Sequence, residues 1–275
     1  MNILIETGAT KSRSIGYSDG SIFFNYKNAG INATYSTNEF IGEVLQDIIT
    51  TNNVEVDEVQ KVRYYGAGCM NLQNIEKVKK ILQKFFPYAK IDVFSDLLAV
   101  CHALCKYDKG FVGILGTGAA SCLYDGKEII DKAPSLGYLL GDEGSGTYLG
   151  KRFLIKYLND KFEDDITQDF EKTFEVNKQK VFQKIYQEPN PQTFLSSIPV
   201  FMYKHKENPK IEQLVSNAFY TFFQQQKKYY KRFWFPWYFC GSIAYYFQDI
   251  LKEVAGKLNI EIAAIEQECA QRLLN

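Results

Sequence analysis

Three short glycine-bearing segments each follow a stretch that reads as a β-strand. They are residues 6–11 (Glu6-Thr7-Gly8-Ala9-Thr10-Lys11), 116–120 (Gly116-Thr117-Gly118-Ala119-Ala120) and 240–243 (Cys240-Gly241-Ser242-Ile243). Glycine lets backbone N–H groups approach an anion closely, and small hydroxyl residues add donors without bulk. One such turn is common for steric reasons alone. A related pair is more specific, because two turns could clamp a triphosphate from both sides. Carboxylates accompany them. Glu6 ends the first strand, and Asp96 follows Ser95 at a strand-to-helix junction. Asp142 and Glu143 lie in the low-bulk run Gly141-Asp142-Glu143-Gly144-Ser145-Gly146. A carboxylate beside a phosphate can take a proton or orient a hydrated metal. Acids that cap or open a helix occupy the same positions, so placement alone leaves both readings open for Asp96 and Asp142.

The elements that would position these groups follow from periodicity. The spacing predicts strands over 2–7, 13–17 and 21–26, the last two joined by Asp19-Gly20, which supplies the positive φ of a tight hairpin. A helix over 37–50 places Phe40, Ile41, Val44, Leu45 and Ile48 on one face. A strand over 61–65, a helix to Lys84, a strand over 91–94 and a helix from Ser95 to Cys105 complete a mixed α/β domain. The pattern then restarts with strands over 110–115, 121–124 and 127–130, Asp125-Gly126 forming a second hairpin turn. Thr7-Gly8-Ala9 matches Thr117-Gly118-Ala119 at an offset of 110 (118 − 8), the trace of an internal duplication. Residues 143–231 read as mostly helical, 234–240 as a strand, and 242–257 and 263–273 as helices. The expected domains are 1–108 and 109–275, the second with a helical insertion, hinged over a shared cleft.

Composition narrows the classes of function. The 275 residues are 46% hydrophobic and 23% charged, a globular balance. Lys plus Arg equals Asp plus Glu at 32 each, so the basic excess that nucleic-acid binding draws on is missing. The run Lys227-Lys228-Tyr229-Tyr230-Lys231-Arg232 reads as the solvated end of a long helix. Six cysteines without a CxxC pair, and only two histidines, argue against a zinc site of ordinary spacing. Neither an export signal nor an apolar run long enough to span a bilayer is visible, and reduced thiols fit the cytoplasm. Aromatic residues crowd 219–239, as expected of a core or an interface.

Five motifs occur in a telling order: Thr7-Gly8-Ala9-Thr10-Lys11, Tyr65-Gly66-Ala67-Gly68-Cys69, Leu115-Gly116-Thr117-Gly118, Leu140-Gly141-Asp142-Glu143-Gly144-Ser145-Gly146 and Gly241-Ser242-Ile243-Ala244. In this the chain resembles the N-acetylglucosamine kinases, and most of all the bacterial kinase-like proteins grouped with the activator ATPases of the actin-like superfamily. The resemblance covers roughly residues 2–260. It implies two ribonuclease-H-like domains around a central cleft, with the last helix returning to the first domain. It also implies ATP and Mg²⁺ as cofactors, an amino sugar as substrate and a homodimer. By similarity, Gly8, Ala9, Thr10, Lys11, Gly116, Thr117 and Gly118 would hold phosphates, and Gly241 and Ser242 would flank adenosine. Asp96 looks like the general base. Gly30, Asn32, Thr117, Gly137 and Asp142 resemble the sugar-binding positions, and Glu6 would act on the metal through water.

The chain departs from that pattern at named places. Glu6 stands where the family has Asp, one methylene longer; a misplacement of about 1 Å can cost about 10²-fold. Ala119 and Ala120 replace a Ser-Asn pair, and residues 267–273 lack the expected Pro- and Gly-bearing ending. Two readings therefore compete: a working kinase for N-acetylglucosamine or another amino sugar, and a degenerate homologue that binds sugar or nucleotide without turnover. A third class, iron–sulfur activators, would need cysteine ligands. Cys101 and Cys105 lie one turn apart, but among Leu97, Leu98, Val100 and Leu104 they read as packing residues.

Overall fold

The computed structural model describes residues 1–274, which form two compact units: Met1–Asp108 together with the described residues from Glu268 onward, and Lys109–Gln267. The first unit is built on strands β1 (Asn2–Thr7), β2 (Lys11–Ser18), β3 (Ser21–Ala29), β4 (Lys61–Gly66) and β5 (Lys90–Ser95), in the order β3-β2-β1-β4-β5. β1 pairs antiparallel with β2 and parallel with β4, and β4 runs parallel to β5. Helices α1 (Asn38–Thr51) and α2 (Leu72–Phe85) supply the core face. α1 starts where Thr37 accepts the Phe40 N–H, and it buries Ile41, Val44, Leu45 and Ile48 at helical spacing. α2 starts at Asn71 in the same way, and Ile3, Ile5, Val62 and Ile91 meet both helices in one core. After β5 comes α3 (Asp96–Val100), which widens into a single π-helical stretch over Cys101–Cys105.

The second unit holds β6 (Gly110–Leu115), β7 (Ala119–Tyr124) and β8 (Ile129–Lys132), followed by six helices: α4 (Gly137–Leu140), α5 (Gly146–Leu158), α6 (Asp164–Phe174), α7 (Lys178–Tyr186), α8 (Pro191–Lys204) and α9 (Pro209–Tyr230). β9 (Trp237–Cys240), α10 (Ser242–Tyr246), α11 (Gln248–Lys257) and β10 (Ile262–Glu266) complete it. The sheet order β10-β9-β6-β7-β8 repeats the first sheet strand for strand, with the same parallel and antiparallel pairs. Its core is aromatic. Trp237 stacks on Phe111 and Phe239 and meets Phe222 and Phe223 edge-on. Among the described residues no helix is long and apolar enough to cross a membrane.

Several boundaries differ from the sequence expectation. The terminal segment is not a helix from 263: Ile262–Glu266 pairs parallel with β9, and Ala270–Leu274 is a 3₁₀ turn. Alanines there favour helix locally, but the open edge of β9 offers a full ladder of hydrogen bonds, and tertiary pairing overrides propensity. β8 starts at Ile129 rather than at 127 because the Asp125 carboxylate accepts the N–H groups of Lys127 and Glu128, both at 2.8 Å, and holds them in a turn. β9 starts only after Pro236, which has no N–H to give a ladder. The duplication also has a different register. Strand ends align Thr7 with Leu115 and Lys11 with Ala119, an offset of 108 (115 − 7 and 119 − 11), so Gly8 corresponds to Gly116 rather than Gly118.

Candidate active site

In the first unit, three parallel strands end at one level. Thr7 pairs with Gly66, and Gly66 with Ser95, so Gly8, Ala67 and Asp96 follow one another along one edge of the sheet. The carboxyl edge of parallel strands is where α/β folds place ligands. The first glycine turn is closed by a hydrogen bond from Gly8 N–H to the Lys11 carbonyl at 2.9 Å, and Gly8, Ala9, Thr10 and Lys11 are exposed. Buried Thr7 backs it. The Ile31 N–H donates to Thr7 Oγ1 at 2.7 Å, and the Thr7 hydroxyl donates to the Gly8 carbonyl at 3.1 Å. Gly30 lies so close that a Cβ there would stand 2.5 Å from Gly8 O and from Lys11 N; no side chain fits. Asn32 turns its loop back on itself: its Oδ1 accepts the Thr34 N–H at 3.0 Å, and the residue bridges to Ala67. Residues 30–32 thus touch both the first turn and the turn after β4.

Asp96 opens α3, where Ser95 caps the Leu98 N–H and Asp96 Oδ1 accepts the Leu97 N–H at 2.9 Å. Its charge reaches the Cys69 thiol, whose pKa is pushed up to about 12, first by burial and then by Asp96. Cys69 is therefore a thiol and no nucleophile at neutral pH. Glu6 is in register with Arg13 and Tyr65, and it is partly buried. Its carboxylate accepts backbone hydrogen bonds from Cys269 and Ala270, and burial raises its pKa to about 7 in spite of them. An ionised carboxylate has about four acceptor sites, so lone pairs remain for the water shell of a metal. Glu268 beside that segment pairs with Arg13 and Lys27.

In the second unit, the turn Gly116-Thr117-Gly118 is stitched to the start of α5. Gly146 N–H donates to Gly116 O at 2.8 Å, and Thr147 N–H donates to Thr117 O at 3.1 Å. The next N–H, of Tyr148, is taken by the capping hydroxyl of fully buried Ser145. The first donors of α5 are thus spent on protein, and the helix start holds the turn rather than an anion. Asp142 adopts a left-handed φ of 61°, and its carboxylate accepts the Ala119 N–H. Gly118 makes this approach possible, since a Cβ there would lie 2.9 Å from Asp142 Oδ2. Burial raises the Asp142 pKa, with the Ala119 N–H and Lys151 opposing. Gly241 N–H donates to Glu266 O, and Ser242 begins α10, at the end of β9 next to β6. Gly137 opens α4, where Gly141 N–H donates to its carbonyl.

Each unit therefore assembles its own predicted residues. Lys151 belongs with Asp142 although the sequence did not single it out. It lies on α5 one turn after Thr147, donates to the Tyr138 carbonyl, and has its pKa lowered by burial against the charges of Asp142 and Glu143. The i, i+4 spacing from Thr147 was the available signal.

No protein-family model and no curated protein sequence matches the chain. Solved structures do. A candidate N-acetylglucosamine kinase of Porphyromonas gingivalis superposes with a TM-score of 0.95 at 28% identity, covering 100% of this chain and 97% of that one. The resemblance to N-acetylglucosamine kinases is borne out. A second candidate N-acetylglucosamine kinase, from Chromobacterium violaceum, gives a TM-score of 0.76 at 17% identity over 99% and 97% of the two chains. The ROK hexokinase of Thermus thermophilus gives 0.52 at 12% identity over 96% and 92%. At those identities the likeness is one of fold, and that fold is the α/β architecture of the actin-like ATPases.

Proposed function

We propose that this N-acetylglucosamine-kinase-like protein is an ATP-dependent sugar kinase that transfers the γ-phosphoryl group of MgATP to the 6-hydroxyl of N-acetylglucosamine. The observation that carries this reading is the common level of Thr7, Gly66 and Ser95, which sets Asp96 on the same strand edge as the exposed Gly8–Lys11 turn. Asp96 takes the hydroxyl proton as the oxygen–phosphorus bond forms and the bond to ADP breaks, help worth about 10²–10⁴-fold. The Gly8, Ala9, Thr10 and Lys11 turn in one unit and the Gly116, Thr117 and Gly118 turn in the other each receive phosphate oxygens, Gly8 and Gly116 by closing the turns with their own N–H groups and by leaving room for a close approach. Gly241 and Ser242 flank the adenosine. Asp142 accepts a sugar hydroxyl on the lone pairs that Ala119 leaves, and Gly30, Asn32 and Gly137 shape the sugar loops. Glu6 would orient the water shell of the magnesium that accompanies ATP, which would supply charge to the phosphate oxygens.

The likeness to the Porphyromonas gingivalis protein over the whole length supports a sugar kinase; the choice of amino sugar rests on the shared motifs. A binding-only reading draws on one observation, the engagement of the Glu6 carboxylate by Cys269 and Ala270. Coupled ADP release with MgATP against a panel of hexoses and N-acetylated amino sugars separates the two. Turnover with N-acetylglucosamine that disappears in Asp96→Asn is the expected result. Sugar binding by calorimetry without any turnover would replace the kinase with a sensor.

A further inference from the structure

Tyr64 is fully buried on β4, and its hydroxyl has no hydrogen-bond partner in the protein. Buried polar groups are nearly always paired, so an orphan beside a functional site calls for a reason. Its position is well defined. A Cβ built on Gly66 would stand 2.8 Å from the Tyr64 hydroxyl, so the phenol reaches along the strand to the foot of the Gly66–Cys69 turn. Gly66 is in register with Ser95, the residue before Asp96. Besides burial, Cys69 and Asp96 act on the phenol. Both lie in the first unit, and the Cys69 thiol stays protonated through the neutral range. Of the two neighbours, only Asp96 is a strong acceptor.

We propose that Tyr64 is a positioning residue for Asp96, its hydroxyl donating to the Asp96 carboxylate across one water. The inference rests on Asp96 being the base assigned above. A donor to the ionised carboxylate holds it charged, ready to accept a proton, and fixes which oxygen faces the substrate hydroxyl. It also accounts for the run of small residues in the turn: Gly66 must lack a side chain for the Tyr64 hydroxyl to reach past it. Asp96 acts on Tyr64 of β4 and on Cys69 of the turn after it, and its Oδ1 accepts the Leu97 N–H. Lys77 of α2 acts on Cys69, with its Nζ donating to the carbonyls of Ala33 at 3.1 Å and Ser36 at 2.7 Å.

The test is Tyr64→Phe, which deletes a single buried atom and keeps the ring. The titration of Asp96, followed by ¹³C-carboxyl NMR with Asp96→Asn identifying the signal, decides the outcome without any need for turnover. The expected result is a higher Asp96 midpoint in Tyr64→Phe, because the lost donor favoured the charged form. In the active enzyme kcat then falls about tenfold while the sugar KM and the denaturation midpoint hold, the loss expected for a hydrogen bond to a charged group. An Asp96 midpoint equal to that of the unsubstituted protein overturns the proposal whatever kcat does, and Tyr64 is then a packing residue. Should the unsubstituted protein phosphorylate no sugar, the kinase reading fails by itself, and the Asp96 midpoint still decides the role of Tyr64.

Discussion

The two glycine turns sit at the same place in two copies of one sheet, yet they are held in different ways. The turn at Gly8 is backed by loop backbone: Gly30 presses against it, and Thr7 ties it to Ile31. Its tip is open to solvent. The turn at Gly116 is fastened to a helix start, whose first N–H groups it consumes, and a carboxylate closes on the N–H of the residue after it. Duplication thus preserved topology and let the chemistry diverge. One unit carries a carboxylate at a strand end, Asp96, the proposed base. The other carries a carboxylate held in a left-handed backbone conformation, Asp142, oriented by protein donors before any ligand arrives. A base must exchange protons freely, whereas a group that reads hydroxyls gains from being fixed.

That contrast can be broken at several points. Asp96→Asn should lower sugar-dependent ADP release by about 10²–10⁴-fold at unchanged thermal midpoint, and near-normal turnover would remove the asymmetry between the units. Gly30→Ala should destabilise by about 1–3 kcal/mol, because the added carbon meets backbone on two sides and neither can yield. Gly116→Ala meets nothing within 4 Å and should change stability by less than about 0.5 kcal/mol. Urea denaturation of both variants checks the pair; equal losses would mean that the turns are backed alike. Asp142→Asn should raise the sugar KM by about 2- to 10-fold and leave kcat within about twofold, the mark of a lost ground-state hydrogen bond.

The smallest effect concerns Glu6. Its folded pKa of about 7 lies above the ordinary 4.5, so the folded chain holds that proton more tightly than the unfolded one. The stability this group contributes is fully present below about pH 4.5 and is lost as pH rises through about 7. Glu6→Gln should flatten the fall in denaturation midpoint across that window. A slope as steep as in the unsubstituted protein would assign the titration to another group.

Much of this was legible locally. Thr37, Asn71 and Ser95 announce helix starts because a short polar side chain satisfies an orphan N–H within three residues. Asp19-Gly20 and Asp125-Gly126 mark hairpins because few residues accept positive φ. Asp96 stands where the helix-start rule puts it, directly after the capping Ser95. The repeat was visible as matching letters, but its register was two residues off, since Thr-Gly-Ala recurs by composition while strand ends define equivalence.

The order of strands and helices up to β9, the glycine turns and the position of Asp96 at a helix start were determined by the sequence alone, through interactions spanning a few residues. Tertiary structure decided what depends on distant partners. Ile262–Glu266 became a strand because β9 offered an edge, and Glu6 became an anchor because Cys269 and Ala270 arrived beside it. Lys151 joined Asp142, and Tyr64 was left with an unpaired hydroxyl beside Gly66, because burial brought them there. Desolvation acts on whatever the fold encloses, and no stretch of neighbouring residues encodes that enclosure.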